Sequence, residues 1–232
     1  MKTESQESIA GTNMARRSFL RYAGVGVAAA GLLATASCTK DHPIIAPSTG
    51  IDIGATGDLA ILNYAYALEQ LEAAFYTQVI LTPYSGISAD EKAMLTSIRD
   101  HEILHREFFK AALGINAIPP LTVDFSKIDF SNRAATLGAA KAFEDTGVTA
   151  YNGAAYLIGS GAYLTLAGKI VSVEARHAAL VSNLLVRGSF AASDQVDASG
   201  LNKSASIAEV LKIANAYLKT KVSASNYNYV AA

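Results

Sequence analysis

The 232-residue chain has no tryptophan, one cysteine, five prolines and four histidines, and only 17% of it is charged. Each scarcity excludes something. A single cysteine cannot build a disulfide framework, a CxxC zinc site or a rubredoxin-type iron module. The formal net charge of -1 lacks the basic footprint that nucleic acid demands. With 51% hydrophobic residues and so little charge, the chain is not disordered. What is present is enough apolar material for one domain with a real core.

The N-terminus reads as an address. Arg16-Arg17-Ser18-Phe19-Leu20 precedes an apolar run from about Tyr22 to Ala36. That run is shorter than the roughly 20 residues a membrane span needs. The paired arginines resemble a bacterial twin-arginine export signal over residues 1–37, which places the protein in the periplasm or cell envelope. Two cut sites stay open. Ala34-Thr35-Ala36 fits an ordinary signal-peptidase site, while Cys38 stands where a lipoprotein carries its lipid, with Thr35 where Leu, Val or Ile is usual. A lone cysteine at the boundary favours lipidation and membrane attachment through Cys38. Residues 38–57, with Pro43, Pro47 and Gly50, read as a tether, and His42 within it as inert. Without residues 1–37 the balance is 15 basic against 18 acidic residues.

From residue 58 the chain reads as helix. Asp58 is placed to cap a segment reaching Leu81, with Ile61, Leu62, Ala65, Leu68, Leu71, Phe75 and Val79 at helical spacing. Ser88 and Glu91 form a capping box for a second helix that ends at Gly114. A connection over 115–131 carries the repeated Asp124-Phe125-Ser126 and Asp129-Phe130-Ser131. A third helix is expected over about 132–158, a fourth over 162–187, and a short fifth from Ser206 to about Val222, with 223–232 as a tail. Gly138, Gly147 and Gly153 weaken the third by about 1 kcal/mol each on propensity, which points to close approach by its neighbours. The class is all-α: two helical hairpins joined by a long crossover, a four-helix bundle.

The second and fourth helices each hold a Glu-x-x-His, Glu102 with His105 and Glu174 with His177, placing carboxylate and imidazole on one face. That face is apolar, carrying Leu95, Ile98 and Phe109 in one helix and Ile170, Val181 and Leu184 in the other. A carboxylate buried there asks for a compensating cation. The first and third helices add Glu69 and Glu144, each followed seven residues later by a tyrosine, Tyr76 and Tyr151. The hairpin is therefore duplicated, and two such hairpins face to face converge four carboxylates and two imidazoles, a set suited to two divalent ions. The bland alternative is a polar core held by Glu–His and Glu–Tyr hydrogen bonds. Glu72 reads as partly exposed or ion-paired rather than as a ligand, His101 as facing solvent or a groove, and Tyr227 and Tyr229 as surface packing.

With Leu68-Glu69-Gln70-Leu71-Glu72-Ala73-Ala74-Phe75-Tyr76, the two Glu-x-x-His motifs, Glu144 and the Asp-Phe-Ser pair, the chain resembles the ferritin-like superfamily of di-iron and di-manganese carboxylate proteins. More narrowly, it resembles its exported bacterial members, which are related to plant desiccation-related proteins. The resemblance covers about residues 58–220. It implies Glu69, Glu102, His105, Glu144, Glu174 and His177 as ligands of two Fe or Mn ions, with Glu102 and Glu174 bridging. It also implies Tyr76 and Tyr151 as catalytic neighbours that donate hydrogen bonds to carboxylates on opposing helices. Many members place an acid directly before each Glu-x-x-His to orient a histidine. Here His101 and Val173 stand there, leaving Asp100 and Asp145 as alternative partners. The expected activity is handling of O2 or H2O2, or oxidation of metal ions, in the envelope. The competing expectation is a metal-free structural or desiccation-protective lipoprotein. Export after folding would let the cytoplasm choose the metal. Nothing in the sequence selects an oligomeric state.

Overall fold

The computed structural model describes residues 50–231, so the export motif, Cys38 and His42 lie outside the described residues. Five α-helices dominate: α1 (Asp58–Leu81), α2 (Ala89–Leu113), α3 (Arg133–Ala154), α4 (Gly161–Leu185) and α5 (Ile207–Ala214). Two short strands, β1 (Ile51–Asp52) and β2 (Val222–Ser223), pair in parallel. The fold is the expected four-helix bundle with a crossover between α2 and α3 and a fifth helix behind. None of the described helices is long and apolar enough to cross a membrane.

α1 is the central helix, buried nearly all round. One face packs into the bundle; the crossover covers another, and two buried amides fasten it there. Asn63 donates to Ile53 O and Asn116 O and accepts from Ile118 N, while Gln70 Oε1 accepts from Leu121 N. Polar residues on a buried face are stable because each connects to backbone groups that would otherwise be orphaned. The two Asp-Phe-Ser repeats act alike: each aspartate accepts from the serine N–H two residues on, at 3.0 Å. These turns aim Phe125 and Phe130 at Phe75, with ring centroids 5.8 and 5.7 Å away.

Several local expectations change. Asp58 does not cap its own helix; its carboxylate accepts from Gly159 N and Ser160 N, tying the start of α1 to the turn before α4. Ser88 does accept from Glu91 N, but Glu91 turns away to Arg133, so only half of the capping box forms there. The full box is Ser206 with Glu209, opening α5. α3 ends at Ala154 in a 3-10 turn, Ala155–Leu157, short of residue 158. α5 stops at Ala214 and continues only as a 3-10 turn, Asn215–Tyr217, rather than reaching Val222, whose N and O are bonded by the Asn215 side chain. The tether is shorter than expected, since Ile51–Asp52 joins β2 and Ile53 is buried. The tail is packed as well: Ser223 and Ala224 are buried, Tyr227 Oη accepts from Gly57 N, and Tyr229 Oη accepts from Asn215 Nδ2. Of the three α3 glycines, Gly153 lies where a Cβ would strike Ala205 O, Gly147 lies against the bundle's centre, and Gly138 has open space beside it.

Candidate metal centre

Halfway along the bundle, α1 supplies Glu69, α2 Glu102 and His105, α3 Glu144, and α4 Glu174 and His177. All four glutamates have no solvent exposure, and His177 is buried with them. Tyr76 Oη donates to Glu144 Oε1 at 2.5 Å, and Tyr151 Oη donates to Glu69 Oε1. Each tyrosine thus serves the glutamate of the opposite hairpin. This reciprocity requires α1 and α3 to run antiparallel, so the duplicated halves face each other about an axis across the bundle.

With the outer oxygens of Glu69 and Glu144 held by phenols, the inner atoms stand without partners. Glu69 Oε2, Glu144 Oε2, both oxygens of Glu102 and of Glu174, and Nδ1 of His105 and His177 are all buried and hydrogen-bonded to nothing. Yet they crowd together. His105 Nδ1 lies 2.8 Å from Glu174 Oε1, 3.4 Å from Glu69 Oε2 and 3.7 Å from Glu102 Oε2. His177 Nδ1 lies 2.7 Å from Glu102 Oε1 and 3.6 Å from Glu144 Oε2. These are close approaches without the alignment of hydrogen bonds. Donor atoms about 2.1 Å from a common ion, at right angles, sit roughly 3 Å apart, so the spacings are those of edges of coordination polyhedra.

The atoms sort into two sets able to hold an ion: Glu69, Glu102, His105 and Glu174, and Glu102, Glu144, Glu174 and His177. Glu102 and Glu174 belong to both. Oxygen-rich donor sets with one imidazole each suit iron or manganese better than softer metals. The six residues singled out in the sequence are therefore brought together, and the eight orphaned donor atoms fit a pair of cations.

The electrostatics describe the same deficit of positive charge. Burial pushes Glu69 up to about 7 and Glu174 well above the carboxylate range. Burial also acts on Glu102, but the imidazoles of His105 and His177 outweigh it and hold that carboxyl at about 2. Burial alone would lower the histidines; the surrounding carboxylates instead raise His105 to about 12 and His177 to about 10. Without cations, protons on imidazoles are what offset the glutamates.

Three further residues enter the picture. His101 does not simply face solvent: although exposed, it sets Nδ1 2.9 Å from His177 Nε2. The two rings lie 12° from parallel with centroids 5.1 Å apart, as an end-on N–H···N bond requires. With His177 Nδ1 turned to the glutamates, a proton on its Nε2 would be donated to His101, and this contact would fix the tautomer. Asp100 and Asp145 do not take that part; they pair with Arg99 and Lys141. Val173 offers His105 no such brace.

Glu72 and Gly147 are the other two. Glu72 is neither exposed nor ion-paired: it is 3% exposed, with Glu174, Glu102, Glu144 and Glu69 as its charged neighbours. Gly147 faces it from α3. The signal for both was in the duplication, because Glu144 and Tyr151 follow Glu69 and Tyr76 by 75 residues, and the same offset sets Gly147 opposite Glu72.

An apolar cavity of about 30 Å³ abuts the centre at Tyr151, lined among others by Tyr64, Leu68, Phe109, Ala154 and Ile170. It has room for one or two molecules of water size. Tyr64 Oη beside it is buried with no hydrogen-bond partner.

Compared with known proteins, the chain matches the family model of the ferritin-like domain over residues 57–187, from the residue before α1 to just past α4. None of the curated proteins compared with it matches the chain. The matched stretch is more than half of the sequence and holds every glutamate and histidine of the centre, and the chain belongs to the ferritin-like domain family.

Proposed function

We propose that this is an exported di-metal carboxylate protein, loaded with iron or manganese, that acts on O2 or peroxide or oxidises metal ions in the cell envelope. The observation that carries the reading is the set of eight buried donor atoms, with imidazole nitrogens 2.7–3.7 Å from carboxylate oxygens, that make no aligned hydrogen bond. A metal-free polar core would align such atoms, because a buried polar group without a hydrogen bond costs about 1–3 kcal/mol. The bound pair of ions would supply two-electron exchange with O2 or H2O2.

The chain's own groups have separable tasks. Glu69 and Glu144 would each hold an ion, and Tyr151 and Tyr76 restrain their outer oxygens so that the inner ones stay directed inward. Glu102 and Glu174 span both positions. His101 fixes the ring of His177. Leu68, Phe109 and Ile170 line an apolar pocket on the Tyr151 side, with space for a small apolar molecule such as O2. The phenols of Tyr76 and Tyr151, in direct contact with carboxylates, are the groups placed to move a proton or an electron near the centre. The twin-arginine motif, Arg16-Arg17, supports export of the folded, loaded protein.

Metal analysis of the protein exported by its native route tests this. About two Fe or Mn per chain are expected, with a rise in Tm when Fe(II) or Mn(II) is added to stripped protein. Ligand at 100 times Kd stabilises by about 2.7 kcal/mol. Metal-free protein whose Tm ignores both ions would overturn the proposal.

A further inference from the structure

The two hairpins repeat their ligands but not the residue one turn further on. On α1, Glu72 follows Glu69 by three positions; on α3, Gly147 follows Glu144 by three. Because α1 and α3 run antiparallel about the centre, with Glu69 level with Tyr151 and Tyr76 level with Glu144, these two positions meet midway between the two sets of ligands. A Cβ on Gly147 would lie 3.0 Å from Glu72 Oε1 and 3.5 Å from Glu174 Oε2. The carboxylate of one repeat thus occupies the space that the side chain of the other leaves open. Gly147 is in mid-helix with negative φ, so backbone conformation does not call for glycine there. The space does.

Glu72, 3% exposed, stands beside a site that already holds four buried carboxylates. A buried carboxylate in that setting needs a cation. Glu72 Oε1 and Glu174 Oε2 face the same gap beside Gly147, and Glu174 belongs to both donor sets, which sets Glu72 against the middle of the centre rather than at one end.

We propose that Glu72 is a seventh ligand of the metal centre, a fifth carboxylate that reaches the ions across the α1–α3 face, with Gly147 as the gap that admits it. The proposal rests on the di-metal reading above. It makes the centre asymmetric in charge: five carboxylates exceed two divalent ions by one negative charge, so the centre favours a total metal charge above +4.

Cobalt(II) titration of the stripped full-length protein tests the proposal, read by stoichiometry, affinity and visible d–d absorption, which strengthens as coordination number falls. The unchanged chain is expected to take up two Co(II). Glu72→Gln, which keeps shape and removes charge, should still bind, at least 10-fold more weakly and with stronger d–d bands. Gly147→Ala should weaken binding in the unchanged chain and have no effect in a Glu72→Ala chain, the non-additivity expected of residues sharing one space. Urea unfolding of each stripped variant checks that it is folded. Two Co(II) bound by Glu72→Gln with unchanged affinity and spectrum would overturn the role of Glu72 and leave the di-metal reading standing. No Co(II) bound by the unchanged protein would overturn both.

Discussion

The half of the centre built on Glu69 and His105 and the half built on Glu144 and His177 share a ligand set but not its surroundings. His177 is braced by His101, and its side chain is 5% exposed; His105 has Val173 at the matching position, and its side chain is 13% exposed. On the face between them, the first repeat contributes Glu72 and the second contributes Gly147. The two repeats carry the same donor residues and differ in the residues behind them. The lesson is that equal ligand lists do not make equal sites: what orients a ligand decides how firmly it holds. The His177 position is the braced and more buried one, and the His105 position is the more exposed.

Removing what the halves share should have the largest effect. Glu102→Ala with Glu174→Ala deletes both bridging carboxylates, so metal uptake measured by elemental analysis falls to zero. The stripped variant should unfold at lower temperature than the stripped parent, because His105 and His177 lose the carboxylates that pair with them. Retention of metal by this variant would place the centre elsewhere. Next in size is the brace. His101→Leu should lower affinity for one of the two ions by about 10- to 100-fold and leave the other unchanged. Val173→His, giving His105 a matching partner, should bring the two affinities together. Stepwise metal release to a chelator reads both, and identical release curves for parent and His101→Leu would erase the comparison.

How far the sequence foretold this centre follows from what each residue depends on. The six candidate ligands and two tyrosines lie on regular helices, where a spacing of three or seven residues determines the shared face, so the sequence alone brings them together. Likewise the class and the crossover follow from helix breaks at Pro83, Gly86, Gly114 and Gly159. Glu72 was legible only by aligning the two repeats, because its burial depends on a missing side chain on another helix. The partnership of His101 with His177 crosses 76 residues and two helices, beyond the reach of local spacing. The true end of α5 and the strand at Ile51 depend on pairing between chain ends, Ile51 with Val222, which no local pattern encodes.

Acidity separates the metal-free from the loaded state. His177 sits at about 10 in the folded chain against an ordinary 6.5, so its contribution is complete below about 6.5 and lost as pH rises through 10. His105 behaves alike, through about 12. Glu69, raised from 4.5 to about 7, contributes below 4.5 and loses that contribution as pH climbs through 7. Glu102, held at about 2, runs the other way, its contribution present above 4.5 and lost on acidification towards 2. The stripped protein should therefore lose Tm steadily from pH 5 to 9. Metal displaces those protons, so the Tm gain on adding Mn(II) should grow over the same range. Parallel Tm curves for stripped and loaded protein would deny that ions and protons compete for one set of atoms.

The smallest effects set tyrosines that serve the centre against one that does not. Tyr76→Phe and Tyr151→Phe each free a buried carboxylate oxygen from its only donor, at a cost of about 1.5–3 kcal/mol in urea unfolding. The two losses should be alike, since the phenol–carboxylate bonds are reciprocal in the two halves; unequal losses would extend the asymmetry to the outer oxygens. Tyr64, also buried on α1, has no partner for its hydroxyl beside the apolar cavity. Removing that group strands nothing and relieves an unpaired polar atom, so Tyr64→Phe should leave stability unchanged or raise it by up to about 1 kcal/mol. A loss comparable with Tyr76→Phe would mean that the Tyr64 hydroxyl does have a partner in solution, the natural one being a water molecule in the cavity. The cavity would then be wet, and no longer a dry space suited to O2.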